Sequence, residues 1–175
     1  HRDLHSFPTR RSSDLVDIPV WICRTSVLYG WPLPGQKDNF FSWAYKSLAA
    51  GKTLQIIKGQ ITTPTYVDDL AVFLSKIPVF ADNQIIHTAG PEPINRFDFV
   101  ARICQIFDFN RDLVVPIDKL VQKAQRPADS SLNTQKIQSK EIWTFRNISD
   151  AFLDLKQSWD TRKNLKSQLD KFYDI

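Results

Sequence analysis

The sequence predicts an α/β protein with an incomplete sheet, on three observations. Short apolar strands alternate with segments of helical period. Val20-Trp21-Ile22-Cys23 is apolar without alternation, as in a parallel strand covered on both faces. Only three or four strands can be read, too few for a complete doubly wound sheet, so the chain reads as the edge and lobe of something larger.

Residues 19–23 form the first strand, with Pro19 at its start, where proline is tolerated. Arg24-Thr25-Ser26 follows at its C-terminal end. Residues 31–37, WPLPGQK, are a loop on their proline and glycine content. Asp38 can cap a helix whose Phe40, Phe41, Ala44 and Leu48 share a face and which Gly51 ends. Residues 53–57 read as a strand and 59–65 as a polar, irregular stretch. A helix over 66–77 carries Val67, Leu70, Ala71 and Leu74 at helical spacing, with Pro78 beyond it. Residues 84–87 are a strand closed by Ala89-Gly90-Pro91. Asn95 caps the next helix, and Asp98 three residues on gives a start like a capping box. Its apolar face is Phe99, Val100, Ile103, Cys104 and Phe107. Residues 111–131 are mixed and punctuated by proline, and 133–138 suit a short helical turn. Ile148, Phe152, Leu155 and Trp159 mark a last helix, more polar toward Lys171.

The first fifteen residues, HRDLHSFPTRRSSDL, have no helical or strand period and hold two of the three histidines. No apolar core marks a secretory signal, and two Asp in so short a stretch disfavour a transit peptide. A disordered basic tail is one reading. Codon for codon, however, the stretch is what a common short-read sequencing adapter encodes. Residues 1–15 are therefore expected to be an artefactual, disordered tail, with the natural sequence starting mid-gene at Val16. Residues 16–159 are expected to form the sheet edge and lobe, and 160–175 a helical tail.

The formal charge is +4, of which residues 1–15 supply +1 (three Arg against two Asp), leaving +3 with no basic block. That argues against nucleic acid as the main partner. A mildly basic face suits an anionic substrate, but it also describes an ordinary solvated surface. Cys23 and Cys104 have neither metal-site nor disulfide-framework spacing and read as buried thiols. No run of eighteen apolar residues occurs, so no membrane span is expected and a cytoplasmic location is the default.

Several segments resemble dTDP-4-dehydrorhamnose reductases, a family of extended short-chain dehydrogenases/reductases. Residues 24–30, RTSVLYG, resemble the R-[TS]-S-x-[VL]-Y-G segment after that family's sixth strand, and Asn39-Phe40 its following N-F. Residues 59–71, GQITTPTYVDDLA, resemble its [DN]-Q-x-G-x-P-T-x-x-x-D-L-A block, although Gly59 and Thr62 depart from the pattern. Residues 86–90, IHTAG, are similar to its Y-H-x-[AS]-G strand end. Residues 126–137, RPADSSLNTQKI, resemble R-P-x-x-S-x-L-[DN]-T-x-K-[LF] and are the most specific signal. The matches are ordered over residues 16–158, and the tail after Trp159 has no counterpart. The resemblance implies the C-terminal part of a Rossmann-type reductase of nucleotide-linked 4-keto-6-deoxy sugars, using NADPH or NADH. The family's G-x-x-G-x-x-G loop and Y-x-x-x-K pair do not occur in this sequence. They are expected upstream, and this chain alone is expected to be inactive. Two alternatives stay open. One is a nucleotide-sugar epimerase or dehydratase of the same superfamily. The other is a non-catalytic subunit like the beta regulatory subunit of methionine adenosyltransferase, with a synthetase as partner. A homodimer is also open.

The resemblance places Thr25 and Ser26 at the cofactor, and Tyr29, Asn39, Gln60 and Arg126 at the nucleotide-sugar substrate. Thr25 and Ser26 end a strand, where ligands sit in open α/β sheets, though short polar side chains also cap loops. Asn39 can bond a sugar hydroxyl or phosphate oxygen, or simply serve its helix. Gln60 lies in a polar loop that could face substrate. Arg126 offers a planar fork suited to phosphate, against the ordinary alternative of a surface or carboxylate-paired arginine. His87 reads as structural, and Asp68 and Asp69 as first-turn helix carboxylates. Trp21 and Trp159 read as core, while Trp31 could line a sugar site.

Overall fold

The computed structural model describes residues 20–76, 84–118, 126–139 and 143–173. The expectations for residues 1–15, the start at Val16 and Pro78 fall outside these. The strands are β1 (Trp21–Arg24), β2 (Leu28–Tyr29), β3 (Leu54–Ile57), β4 (Ile61–Thr62), β5 (Thr65–Tyr66), β6 (Gln84–His87), β7 (Ile94–Asn95) and β8 (Val114–Ile117). The helices are α1 (Phe40–Ala49), α2 (Val67–Lys76), α3 (Arg96–Phe107), α4 (Gln135–Ser139) and α5 (Ile148–Tyr173), with a 3-10 turn at Arg111–Leu113.

The strands form four separate pairs, so the mixed α/β class and the incomplete sheet both stand. β1 runs parallel to β6, with Trp21 opposite Gln84 and Arg24 opposite His87. β2·β5 and β3·β8 are also parallel, and β4·β7 is antiparallel. β8 lies in the stretch read only as mixed. It is four residues long and contains Pro116, which an edge strand tolerates. The stretch read as irregular holds the short strands β4 and β5, and α2 begins at Val67 rather than Tyr66.

Local chemistry explains the helix ends. Asn39, not Asp38, caps α1: its Oδ1 accepts from the Ser42 amide at 3.1 Å. Asp38 instead takes the Ser42 hydroxyl and the Lys46 ammonium. Gly51, at φ +67°, ends α1 in a Schellman turn, with Gly51 N bonded to Leu48 O and Lys52 N to Ser47 O. At α3, Asn95 Oδ1 accepts from Asp98 N at 2.8 Å, while Asn95 Nδ2 donates to the Asp98 carboxylate at 2.6 Å. The expected reciprocal cap is therefore present.

Two apolar clusters fill the lobe. The larger is aromatic and centres on Tyr29, which stacks on Tyr66 and meets Phe99 and Phe152 edge-on. Trp31 is 6 % exposed within it, and its indole N–H donates to Leu155 O at 3.0 Å. Trp31 is thus a core residue rather than a site residue, and Trp159 packs against it with ring centroids 4.1 Å apart. The smaller cluster, Leu70, Phe73, Ile86, Ile137 and Phe145, backs β1 and β6. Val20 to Cys23 are only half-buried, and Ile85 beside them is 44 % exposed. Cys23 is accordingly half-buried, whereas Cys104 is buried as expected. α2 also turns differently from its apolar pattern. Asp69, Leu70 and Phe73 are buried, while Ala71 and Leu74 face solvent. No helix among the described residues is long and apolar enough to cross a membrane.

Candidate functional site

The parallel strands β1 and β6 end side by side. Thr88 N donates to Arg24 O at 2.8 Å, closing the pair. Beyond it, Thr25 Oγ1 donates to Thr65 Oγ1 at 3.0 Å, and Thr65 Oγ1 donates to Ser26 O at 2.7 Å. This hydroxyl relay fixes the turn out of β1 against β5. The turn carries strain, because Val27 sits at φ +27°, a conformation β-branched residues avoid. Thr25 is exposed. Its hydrogen is committed to Thr65, so toward a ligand its oxygen can only accept.

A loop that starts at Arg126 runs beside β4. Ile61 N donates to Ala128 O at 2.8 Å, Ser130 N to Ile61 O at 3.0 Å, and Leu132 N to Thr63 Oγ1 at 2.7 Å. The loop is thereby laid along β4 as an added edge. Asp129 receives the Ser131 amide at 2.8 Å, which holds its carboxyl below the usual range. Gln60 precedes β4 and is half-buried.

A narrow groove beside the β1 turn is lined by Val27, Phe40, Thr62, Pro64, Ile94 and Arg96, among others. Arg96 is half-buried, and its guanidinium lies 4.9 Å from the Phe40 ring centroid. Phe40 in turn stacks on Trp43 at 5.7 Å. Burial lowers the Arg96 pKa, and the charge of nearby Arg126 lowers it further.

The loop after Arg126 lies along β4, directly after Gln60, while Tyr29 and Asn39 have partners within the chain. Tyr29 is 1 % exposed, its ring in the aromatic core, and its phenol is pushed well above the usual range by burial and by Asp69 and Glu92. Asn39 is occupied at both ends, donating to Gly30 O at 2.7 Å and accepting from Ser42 N. His87 Nδ1 lies 2.8 Å from Asn133 O, a structural contact. Asp68 and Asp69 do more than complement a helix end: Asp68 takes the Tyr66 hydroxyl, and Asp69 takes the Arg146 amide. Arg96 and Phe40 line this groove, a placement the sequence pattern does not predict. One signal was present: Arg96 directly follows its helix cap, where the helix dipole disfavours a cation.

The lobe has a mixed α/β fold that covers about half of Rossmann-type extended short-chain reductases. Within that class, the chain belongs to the RmlD substrate binding domain family, whose profile matches residues 17–157. No curated protein matches it. Among solved structures, dTDP-4-dehydrorhamnose reductase from Bacillus anthracis in complex with NADP is 21 % identical with a TM-score of 0.69, over 79 % of this chain and 48 % of that one. A hypothetical dTDP-4-dehydrorhamnose reductase from Sulfolobus tokodaii is 26 % identical, with a TM-score of 0.59 over 77 % and 45 %. DesIV, a dTDP-glucose 4,6-dehydratase from Streptomyces venezuelae with NAD and TYD bound, is 15 % identical, with a TM-score of 0.66 over 90 % and 48 %. The chain spans about half the length of these structures.

Proposed function

We propose that this chain is the nucleotide-sugar-binding lobe of an NAD(P)H-dependent reductase of nucleotide-linked 4-keto-6-deoxy sugars. The observation that carries the reading is the loop after Arg126, hydrogen-bonded along β4 and to Thr63, two residues before the Thr65 that meets the β1 turn. Membership of the substrate-binding family supports it. Arg126 grips the diphosphate with its planar fork, and Gln60 reads the sugar. Thr25 accepts from the nicotinamide carboxamide, with Ser26 beside it. Asn39 and Tyr29 act as positioning residues: Asn39 holds the Gly30 carbonyl, and Tyr29 anchors the segment in the core.

NAD(P)H, when bound, supplies hydride to the C4 carbonyl. This chain's own residues bind and orient the sugar nucleotide; none of its tyrosines has a lysine four residues on. A second reading, an epimerase or dehydratase of the same fold, draws support from the dehydratase and epimerase structures this chain resembles. The test is calorimetric titration with dTDP. Wild-type chain should bind one equivalent, and Arg126→Gln should weaken binding by about tenfold or more. A folded chain that binds no dTDP overturns the reading.

A further inference from the structure

We propose that Thr65 is a positioning residue, which holds the β1 turn in a strained conformation and so sets where Thr25, Ser26 and Val27 stand beside the groove. This deepens the reductase reading and rests on it for what the turn serves.

One residue pins three consecutive neighbours. The Thr65 hydroxyl accepts from Thr25 Oγ1 at 3.0 Å and donates to Ser26 O at 2.7 Å. The Thr65 amide donates to Val27 O at 3.1 Å. Thr65 is fully buried, so water does not compete for these bonds. Held this way, Val27 sits at φ +27°, where a branched Cβ crowds the backbone. Such strain persists only where the surroundings over-determine it, and here they do. Thr88 holds Arg24 O, at the other end of the turn, through its amide at 2.8 Å and its hydroxyl at 3.3 Å. The carbonyl of Pro64 packs against Gly90 with no room for a Cβ, so the segment that carries Thr65 is itself fixed. A strained valine does not help the fold, and glycine would relieve it. Strain of this kind collects where a fixed geometry matters to function. Val27 lines the groove, and the turn lies at the carboxyl end of parallel β1, where ligands sit in open α/β sheets. Thr65 thereby sets the turn before a ligand arrives, as preorganised sites require.

The test has two arms. The first compares urea midpoints of this chain carrying Val27→Gly or Val27→Ala, each with Thr65 kept or with Thr65→Val. Both substitutions remove the valine side chain, and glycine ordinarily loses to alanine through the unfolded state. At a positive φ the order should reverse, so Val27→Gly should unfold at higher urea than Val27→Ala. With Thr65→Val the turn is released, and the advantage of glycine should disappear. The second arm follows NADPH or NADH oxidation by the complete reading frame. Thr65→Val should lower kcat about tenfold or more, with KM moving less, because groups are displaced rather than removed. Thr65→Ser keeps the hydroxyl and should restore most of the rate. If Thr65→Val does not fold, Thr65→Cys, whose thiol bonds only weakly, takes its place in both arms. A glycine variant less stable than the alanine variant overturns the proposal, as does a glycine advantage that survives Thr65→Val. Unchanged kcat in Thr65→Val, in a complete protein that turns over, makes Thr65 structural only: the proposal fails and the reductase reading survives. A folded, complete wild-type protein without turnover overturns that reading, and the hold of Thr65 on the turn then stands or falls on the urea arm.

Discussion

Tyr66 and Asp154, 88 residues apart, share a hydrogen bond of 2.6 Å between the phenol and a carboxylate oxygen. The same phenol lies 2.9 Å from Asp68, so its one hydrogen serves two carboxylates. Arg146 completes the cluster. Its guanidinium meets Asp154 at 2.9 Å and lies 5.4 Å from the Tyr66 ring centroid. The cluster ties α5 to the start of α2, next to the strand that holds Thr65. Tyr66→Phe removes the shared donor while keeping the ring, and should cost about 1–2 kcal/mol. Urea midpoints of the two proteins check this; equal midpoints would mean that the cluster does not join the two elements.

The buried Asp69 carboxyl makes a pH-dependent contribution. Burial raises its pKa above the ordinary 3.8, against the opposing effect of the Arg146 amide and guanidinium. Below 3.8 the group is protonated in both folded and unfolded chains and gives no slope. As pH rises through the window up to its raised folded value, the unfolded chain ionises first, and stability is lost. Asp69→Asn cannot titrate and should lack this component. Denaturation at a series of pH values should show wild type losing ground to Asp69→Asn across that window, with a constant difference above it.

Gly90 packs against the carbonyl oxygen of Pro64, with no room for a Cβ. Gly90→Ala must push apart the segments that carry Thr65 and Thr88, at a cost of about 1–3 kcal/mol. Thermal unfolding should show a clear drop. A melting temperature within a degree of wild type would mean that this contact yields freely.

Asp108 ends α3 in the left-handed region at φ +61°, where glycine is preferred. Its carboxylate pairs with Lys156 at 2.6 Å, but the Asp108 side chain is 80 % exposed, and such pairs contribute little. Lys156 also donates to Ile106 O, and that bond survives the substitution. Asp108→Gly should therefore stabilise by about 0.5 kcal/mol. Loss of stability would show that the ion pair outweighs the backbone term.

What could be read in the sequence was what local chemistry decides. The Asn95–Asp98 cap, the Gly51 stop, and the strands ending at Arg24 and His87 each depend on a few neighbouring residues. What could not be read depends on distant partners. β8 exists because β3 pairs with it, and Pro116 masked it. Leu74 fits the apolar period of α2 yet faces solvent, while Asp69 is buried because the Arg146 amide reaches it. Trp31 looked like a loop aromatic until Leu155 and Trp159 supplied its partners. The motif that holds Arg126 could be read in the sequence. The Arg96–Phe40 pair could not, because only folding brings α1 and α3 together.

The measurement that tests the account most directly is turnover by the complete reading frame that contains this chain. It should oxidise NADPH or NADH in the presence of dTDP-4-keto-6-deoxyhexose, with Arg126→Gln raising KM about tenfold or more and residues 16–175 alone showing no turnover. A folded, complete protein that oxidises neither nucleotide with that substrate would contradict the account and shift the weight to the epimerase or dehydratase reading.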